Sequence, residues 1–164
     1  MAAVANAGPL IALAKIDHFS LLHELFRIVI VPQAVWEEVV VKGAGRPGAE
    51  LAISAHQDGW LQQLSVQDTL AVTMLRATLG PGESEAIVLA QQLKPEWMLL
   101  DDDLARAHAL RLGLRVTGTA AILLAASQAG LVADLKATLD ELRTRGFWLR
   151  ERVYQAVLTK AAAK

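Results

Sequence analysis

Hydrophobic positions along the chain fall into short apolar runs separated by stretches with helical spacing. Val4 and Ala5 end a very short first strand, and Pro9 opens a helix through Ile11, Leu13 and Ala14. Proline suits a first helical turn, where its missing N–H has no intrahelical partner to lose. Residues 19–26 carry Leu21, Leu22 and Leu25 on one side of a second helix. Ile28-Val-Ile-Val31 is β-branched, too short for a helix and bounded by Pro32, so it reads as a buried strand. A helix over 33–41 follows, then the Gly-rich loop 42–48 and a helix over 49–57. Residues 60–66 form a possible strand, and 69–79 return to helical spacing. Gly80-Pro81-Gly82 breaks that spacing before a helix over 83–93. Trp97-Met-Leu-Leu100 is another buried strand, Asp101-Asp102-Asp103 caps a helix that Gly113 stops, and Arg115-Val-Thr117 is a further short strand. Helices at 119–129, 134–145 and 150–162 complete the chain. Short apolar strands separated by helices predict an α/β fold with a parallel sheet covered on both faces.

Composition supports this reading. The 164 residues are 54% hydrophobic and 20% charged, and Ala and Leu make up about a third of them, which favours a helix-rich globular chain over disorder. The length fits a single domain over 1–164 with no internal repeat. The absence of Cys excludes disulfides, thiolate metal sites and Cys nucleophiles, and it fits a reducing, cytoplasmic location. The N-terminus lacks a cationic stretch ahead of an apolar one, so no secretory signal is expected. The 18 uncharged residues 116–133 are punctuated by Thr117, Gly118, Thr119, Ser127, Gln128 and Gly130, so a buried helix is expected there rather than a membrane span.

Net charge is −1, but it is unevenly spread. The helical region 134–164 holds seven Lys and Arg against four acids, a net +3, which leaves −4 for residues 1–133. A basic region beside an acidic one suits a phosphate-holding surface next to a cation site, with Lys42, Arg46 and Arg106 as further candidates. Trp36, Trp60 and Trp97 lie in apolar contexts, whereas Trp148, beside Arg150, is the best placed for a partner contact.

Several classes of chemistry are missing. There is no Walker-type loop and no G-x-G-x-x-G, and His18, His23, His56 and His108 form no metal-binding pair. Gly82-Glu-Ser-Glu-Ala86 lacks the preceding strand and following Gly of a nucleophile elbow. What remains is acidic. Glu37 and Glu38 follow the second strand, Glu83 and Glu85 open a helix, and Asp101, Asp102 and Asp103 end a strand. Ligands of an open parallel sheet bind outside the carboxyl ends of its strands, where Asn6 and the Asp run are expected. Converging carboxylates without basic partners call for protons or for a hard divalent ion, Mg²⁺ or Mn²⁺. First helical turns also favour acids for dipole reasons alone, so spacing does not separate caps from ligands.

Four segments together resemble the PIN-domain family, in its small prokaryotic branch often encoded beside antitoxins. They are Asn6-Ala-Gly-Pro-Leu-Ile-Ala-Leu-Ala-Lys-Ile16, Ile30-Val-Pro-Gln-Ala-Val-Trp-Glu-Glu-Val39, Gly80-Pro-Gly-Glu-Ser-Glu-Ala-Ile87, and Leu99-Leu-Asp-Asp-Asp-Leu-Ala-Arg106 continuing to Thr119. The resemblance implies a three-layer α/β/α sandwich and a Mg²⁺- or Mn²⁺-dependent ribonuclease site. Carried over, its acids fall on Asn6, on Glu38 with Glu37 beside it, on Glu85 with Glu83 close by, and on Asp102, or Asp101 if the strand ends a residue earlier. The small hydroxyl residue falls on Thr119. Asn6 stands where the family usually has Asp, and Gly8 where Ser is frequent. The resemblance also implies RNA as substrate, the toxin role of a toxin–antitoxin pair, a cognate antitoxin and a homodimer. The alternative is a PIN-like module that binds RNA or protein with a weakened metal site. A flavodoxin-like or receiver fold fits less well, because an acidic pair after the first strand is absent.

Overall fold

A computed structural model describes residues 2–163. Five parallel strands form one sheet: β1 (Ala2–Ala5), β2 (Ile28–Pro32), β3 (Leu61–Leu64), β4 (Trp97–Leu99) and β5 (Val116–Thr117), in the order β3-β2-β1-β4-β5. The chain builds outward from β1 through β2 to β3, then returns to pair β4 with the free side of β1. Ten helices are described: α1 (Ala7–Lys15), α2 (Leu21–Phe26), α3 (Gln33–Trp36), α4 (Pro47–Gln57), α5 (Thr69–Leu75), α6 (Pro81–Leu93), α7 (Asp103–Arg111), α8 (Thr119–Gln128), α9 (Leu135–Thr144) and α10 (Glu151–Ala162). The expected parallel sheet is present, with helices on both faces.

The strands alternate which layer they serve. Ala3, Ala5, Val29, Val31, Leu61 and Leu99 face a core shared with α1, α2, α8, α9 and α10. Val4, Ile30, Met98 and Leu100 face the opposite core with Leu79, Ile87, Leu89 and Ala105 from the α6 and α7 side. Burial on both faces explains why Ile28 to Val31 is apolar throughout instead of alternating. The uncharged stretch 116–133 contains α8, whose Ile122 and Leu123 are buried in the first core. Among the described residues no helix is long and apolar enough to cross a membrane.

Two departures from the expected elements bear on function. The first helix starts at Ala7, with Asn6 as N-cap and Pro9 inside the first turn. Proline is tolerated there because the first N–H groups of a helix have no internal acceptor. The expected helix over 33–41 is α3 followed by a π-helical segment, Glu37–Val41, in which the Lys42 N–H donates to the Glu37 carbonyl at 2.8 Å. Such widened turns add a residue and so re-aim the side chains around them, and they are frequent at functional sites. Here the re-aimed residues include Glu37 and Glu38.

Leu123 is fully buried in the larger core. Leu123→Ala is expected to cost about 2–5 kcal/mol in denaturant unfolding, the range for cavity-forming Leu→Ala changes.

Candidate functional site

The sheet reverses its direction of growth between β1 and β4, which opens a crevice beyond their carboxyl ends. Asn6 and Asp101 sit on its two sides. The Asn6 N–H donates to the Leu99 carbonyl at 3.0 Å, so the residue is anchored by the sheet itself. Its side chain is 7% exposed, and its Oδ1 is buried with no hydrogen-bond partner. It does not cap α1, although it is the N-cap residue.

The surroundings of Asn6 Oδ1 are defined by Gly82. A Cβ on Gly82 would lie 3.0 Å from Asn6 Oδ1 and 3.5 Å from Glu38 Oε1. Gly82 lies within the first turn of α6, where no unusual backbone angle calls for glycine. A Cβ there would be tight against Asn6 Oδ1 and in ordinary contact with Glu38 Oε1, so glycine leaves room beside a buried amide oxygen and a carboxylate oxygen. Glu38 keeps a solvent-exposed surface, yet its carboxyl pKa is raised above the ordinary value. Desolvation is the largest cause and the charge of Glu83 the second, while Lys42 opposes both.

Asp101 is held differently. Its Oδ1 accepts the Thr119 N–H at 2.7 Å and its Oδ2 accepts the Thr119 hydroxyl at 2.6 Å. Gly118, the N-cap of α8, has no side chain to cap with, so the Asp101 carboxylate meets the start of that helix, where negative charge is favourable. Burial nevertheless pushes the Asp101 pKa up, against the lowering effects of the Thr119 side-chain bond, the Thr119 backbone bond and the Arg106 charge, in that order. Arg106 also donates to the Leu100 carbonyl at 2.9 Å, which braces the turn after β4. A Cβ on Gly8 would sit 3.4 Å from Asp101 Oδ2, so the carboxylate also faces the start of α1.

The other sequence candidates have different surroundings. Asp102, ahead of Asp101 in the sequence expectation, is the exposed N-cap of α7 and accepts the Ala105 N–H at 2.9 Å. The strand ends at Leu99, one residue before Leu100, and that register turns Asp101 toward Thr119 and Asp102 away. Glu85 accepts the Ala34 N–H at 3.0 Å and so serves as a cap for α3, whose own N-cap is Pro32. Glu83 lies near enough to Glu38 to raise its pKa, and Glu37 accepts from Gln33 Nε2 at 3.0 Å on the exposed side. Among the described residues no group of three or more His, Cys, Asp or Glu side chains is arranged to hold a metal ion. The oxygen donors that do converge are an amide and a carboxylate.

Sequence reasoning missed two features. In the sequence Gly82 belongs to a helix breaker and to the third family-like segment, and neither marks its closeness to Asn6. Its signal is a glycine inside a helix start with no need for positive φ. Lys15 shares with Gly8, Ile11 and Ala12 the spacing i, i+3, i+4, i+7 and lines one pocket with them and Asp101.

An α/β fold with an open parallel sheet and polar groups at its switch point defines a class that binds ligands at the strand ends. The match to known families is narrower. A family model described as PIN domain matches residues 2–163, and the chain belongs to that family. Its fold is a nuclease-type fold, and PIN domains generally depend on divalent metals. A PilT N-terminus domain protein from the hyperthermophilic archaeon Sulfolobus solfataricus P2 has a similar structure, with a TM-score of 0.52 and 16% sequence identity over 76% of this chain and 92% of that one. No curated protein matches the chain.

Thr119→Val tests the Asp101 environment. An acid whose folded pKa is raised binds its proton more readily in the native state, so stability falls as pH rises through that pKa. The Thr119 hydroxyl limits this loss by favouring the carboxylate. Its removal is expected to lower unfolding stability by about 1.5–3 kcal/mol above the folded pKa of Asp101, with the deficit shrinking at lower pH where the carboxyl is neutral. Urea unfolding of both proteins from about pH 3, below the ordinary carboxyl value, up to about pH 8 measures this.

Proposed function

We propose that the protein hydrolyses RNA phosphodiesters with a divalent cation, Mg²⁺ or Mn²⁺, at the crevice between β1 and β4. The observation that carries this reading is the unpartnered buried Asn6 Oδ1 converging with Glu38 Oε1 on Gly82. Asn6 Oδ1 lacks a donor, and such a buried unsatisfied acceptor costs about 1–3 kcal/mol, while the nearby Glu38 carboxylate adds negative charge. A hard cation satisfies both, and oxygen ligands are what such ions prefer.

In this reading Asn6 and Glu38 hold the ion, with Asp101 facing the same crevice from the β4 side. When bound, the ion offsets negative charge on the phosphodiester and acidifies water. A water oxygen would bond to phosphorus as the bond to the leaving sugar oxygen breaks, with the water's proton passing to solvent and the sugar oxygen taking one up from solvent. The chain's own residues do the rest. Thr119 is a positioning residue that fixes both oxygens of Asp101. Arg106 lies beside Asp101 and adds positive charge near the phosphate. Glu85, with one oxygen on Ala34, and Glu83 supply further negative charge that favours cation entry. The resemblance to the antitoxin-linked branch extends the proposal to a toxin role, with a cognate antitoxin and a second copy of the chain as partners.

A second reading is a PIN-like module that binds RNA or protein without cleaving. It is favoured by the uncharged Asn6 and by the absence of three converging acids among the described residues.

Cleavage of a labelled RNA by purified protein with Mn²⁺ separates the two. Asp101→Asn and Glu38→Gln are expected to lower the rate by about 100-fold or more, as for loss of a charge-stabilising group. Asp102→Asn keeps a good helix cap and is expected to cleave like the wild type. Asn6→Asp adds a charged ligand and is expected to tighten Mn²⁺ binding in calorimetry by about tenfold. No wild-type cleavage together with no heat of Mn²⁺ binding favours the binding module.

A further inference from the structure

Trp148 is the most exposed large apolar side chain among the described residues, at 82%. Its loop is nevertheless pinned. α9 ends with Gly146 at φ 96°, a backbone angle that side chains other than glycine's rarely adopt. The Gly146 and Phe147 N–H groups donate to the Arg143 and Leu142 carbonyls at 3.0 and 3.1 Å. Arg143 donates to the Leu149 carbonyl and to Glu151, each at 3.0 Å, and its guanidinium lies 4.1 Å over the Tyr154 ring. The Tyr154 hydroxyl donates to Asp140 at 2.7 Å. Arg150 pairs with Asp103 across the site. Phe147 packs on the core and Leu149 is buried, so the residue between them points outward. An aromatic side chain on a backbone already held in place loses less entropy on binding than one on a mobile loop.

The ring stands where two cavities meet. A pocket of about 260 Å³ has Ile11, Leu142 and Phe147 as apolar wall, and Lys15 and Arg145 as cations. A cleft of about 810 Å³ lies on the other side, with Arg106 and Arg152. Asp101, Phe147 and Trp148 line both. Among the described residues Lys15, Arg106 and Arg152 make no ion pair, and Arg145 has only a 3.9 Å contact with Glu141. An apolar pocket with cations and an exposed ring is complementary to a ligand with a flat aromatic face and anionic links on either side.

We infer that Trp148 stacks on an unpaired nucleobase of single-stranded RNA, with that base in the smaller pocket and the adjoining phosphates against Lys15 and Arg145. The strand then passes Asp101 into the larger cleft. Every base offers a π-face, so this contact selects for unpaired RNA and not for sequence. A duplex has its base faces already stacked and presents none to the ring. This rests on the ribonuclease reading for the direction of the strand past Asp101, but the contact itself does not require cleavage.

The test uses the full chain in EDTA with a fluorescein-labelled ten-nucleotide single-stranded RNA, followed by anisotropy. Trp148→Ala is expected to weaken binding by about tenfold, within the range for removing one base–aromatic stack, and Trp148→Phe to restore most of it. The same sequence as a duplex is expected to bind at least about tenfold more weakly than the single strand, having no free base face to offer. Thermal unfolding checks that the variants remain folded. Equal binding by wild type and Trp148→Ala overturns the inference and leaves the ring as a protein contact. Equal affinity for duplex, or no binding by the wild type, also overturns it. Binding that depends on Trp148 without any cleavage in Mn²⁺ upholds the inference while removing the hydrolytic reading.

Discussion

The backbone hydrogen bond from Asn6 to the Leu99 carbonyl, 3.0 Å long, closes the pairing of β1 with β4 at the point where the sheet changes its direction of growth. Everything proposed for the crevice depends on that junction. It holds Asn6 at the end of a central strand, shielded from water and without a partner for Oδ1. It also places the Asp101 turn next to α1. A chain that simply continued outward from β3 would leave these residues on different edges of the sheet.

The helices around the junction are adjusted to it. Gly82 lets α6 approach where a Cβ would press on Asn6 Oδ1 and touch Glu38 Oε1. The π-helical segment after α3 carries Glu38 toward the same point. Asp101 substitutes for a capping side chain at α8, and Glu85 does the same at α3. The acids around the crevice therefore divide between two tasks. Glu85 holds a helix start, Glu38 faces the crevice, and Asp101 does both; the pKa values of Glu38 and Asp101 are raised, in each case first by burial. The same residue types serve both tasks because a helix N-terminus and a cation attract the same charge.

Much of the architecture is legible in the sequence for a physical reason. Parallel strands buried on both faces must be apolar throughout, so Ile28 to Val31 and Trp97 to Leu99 stand out, and the Gly and Pro positions between helices mark most boundaries. The Asp run is less legible. Three consecutive Asp residues differ in role by where the strand stops, and strand ends are uncertain by a residue or two from sequence alone. The different surroundings of Asp101 and Asp102 therefore appear only with the register. The π-helical turn is invisible because its residues carry ordinary helical character. The grouping of Lys15, Arg145 and Trp148 depends on contacts between α1 and the loop after α9, which no local pattern encodes.

The proposed cation seat is made by Asn6 Oδ1 and Glu38 Oε1 in the space that Gly82 leaves open. Anomalous diffraction from a crystal of the protein soaked in Mn²⁺ tests this most directly. A manganese peak is expected in front of Gly82, in contact with Asn6 Oδ1 and Glu38, that disappears in Gly82→Ala. A crystal with millimolar Mn²⁺ and no peak there, in which Asn6 Oδ1 instead accepts a hydrogen bond from the protein, would contradict it.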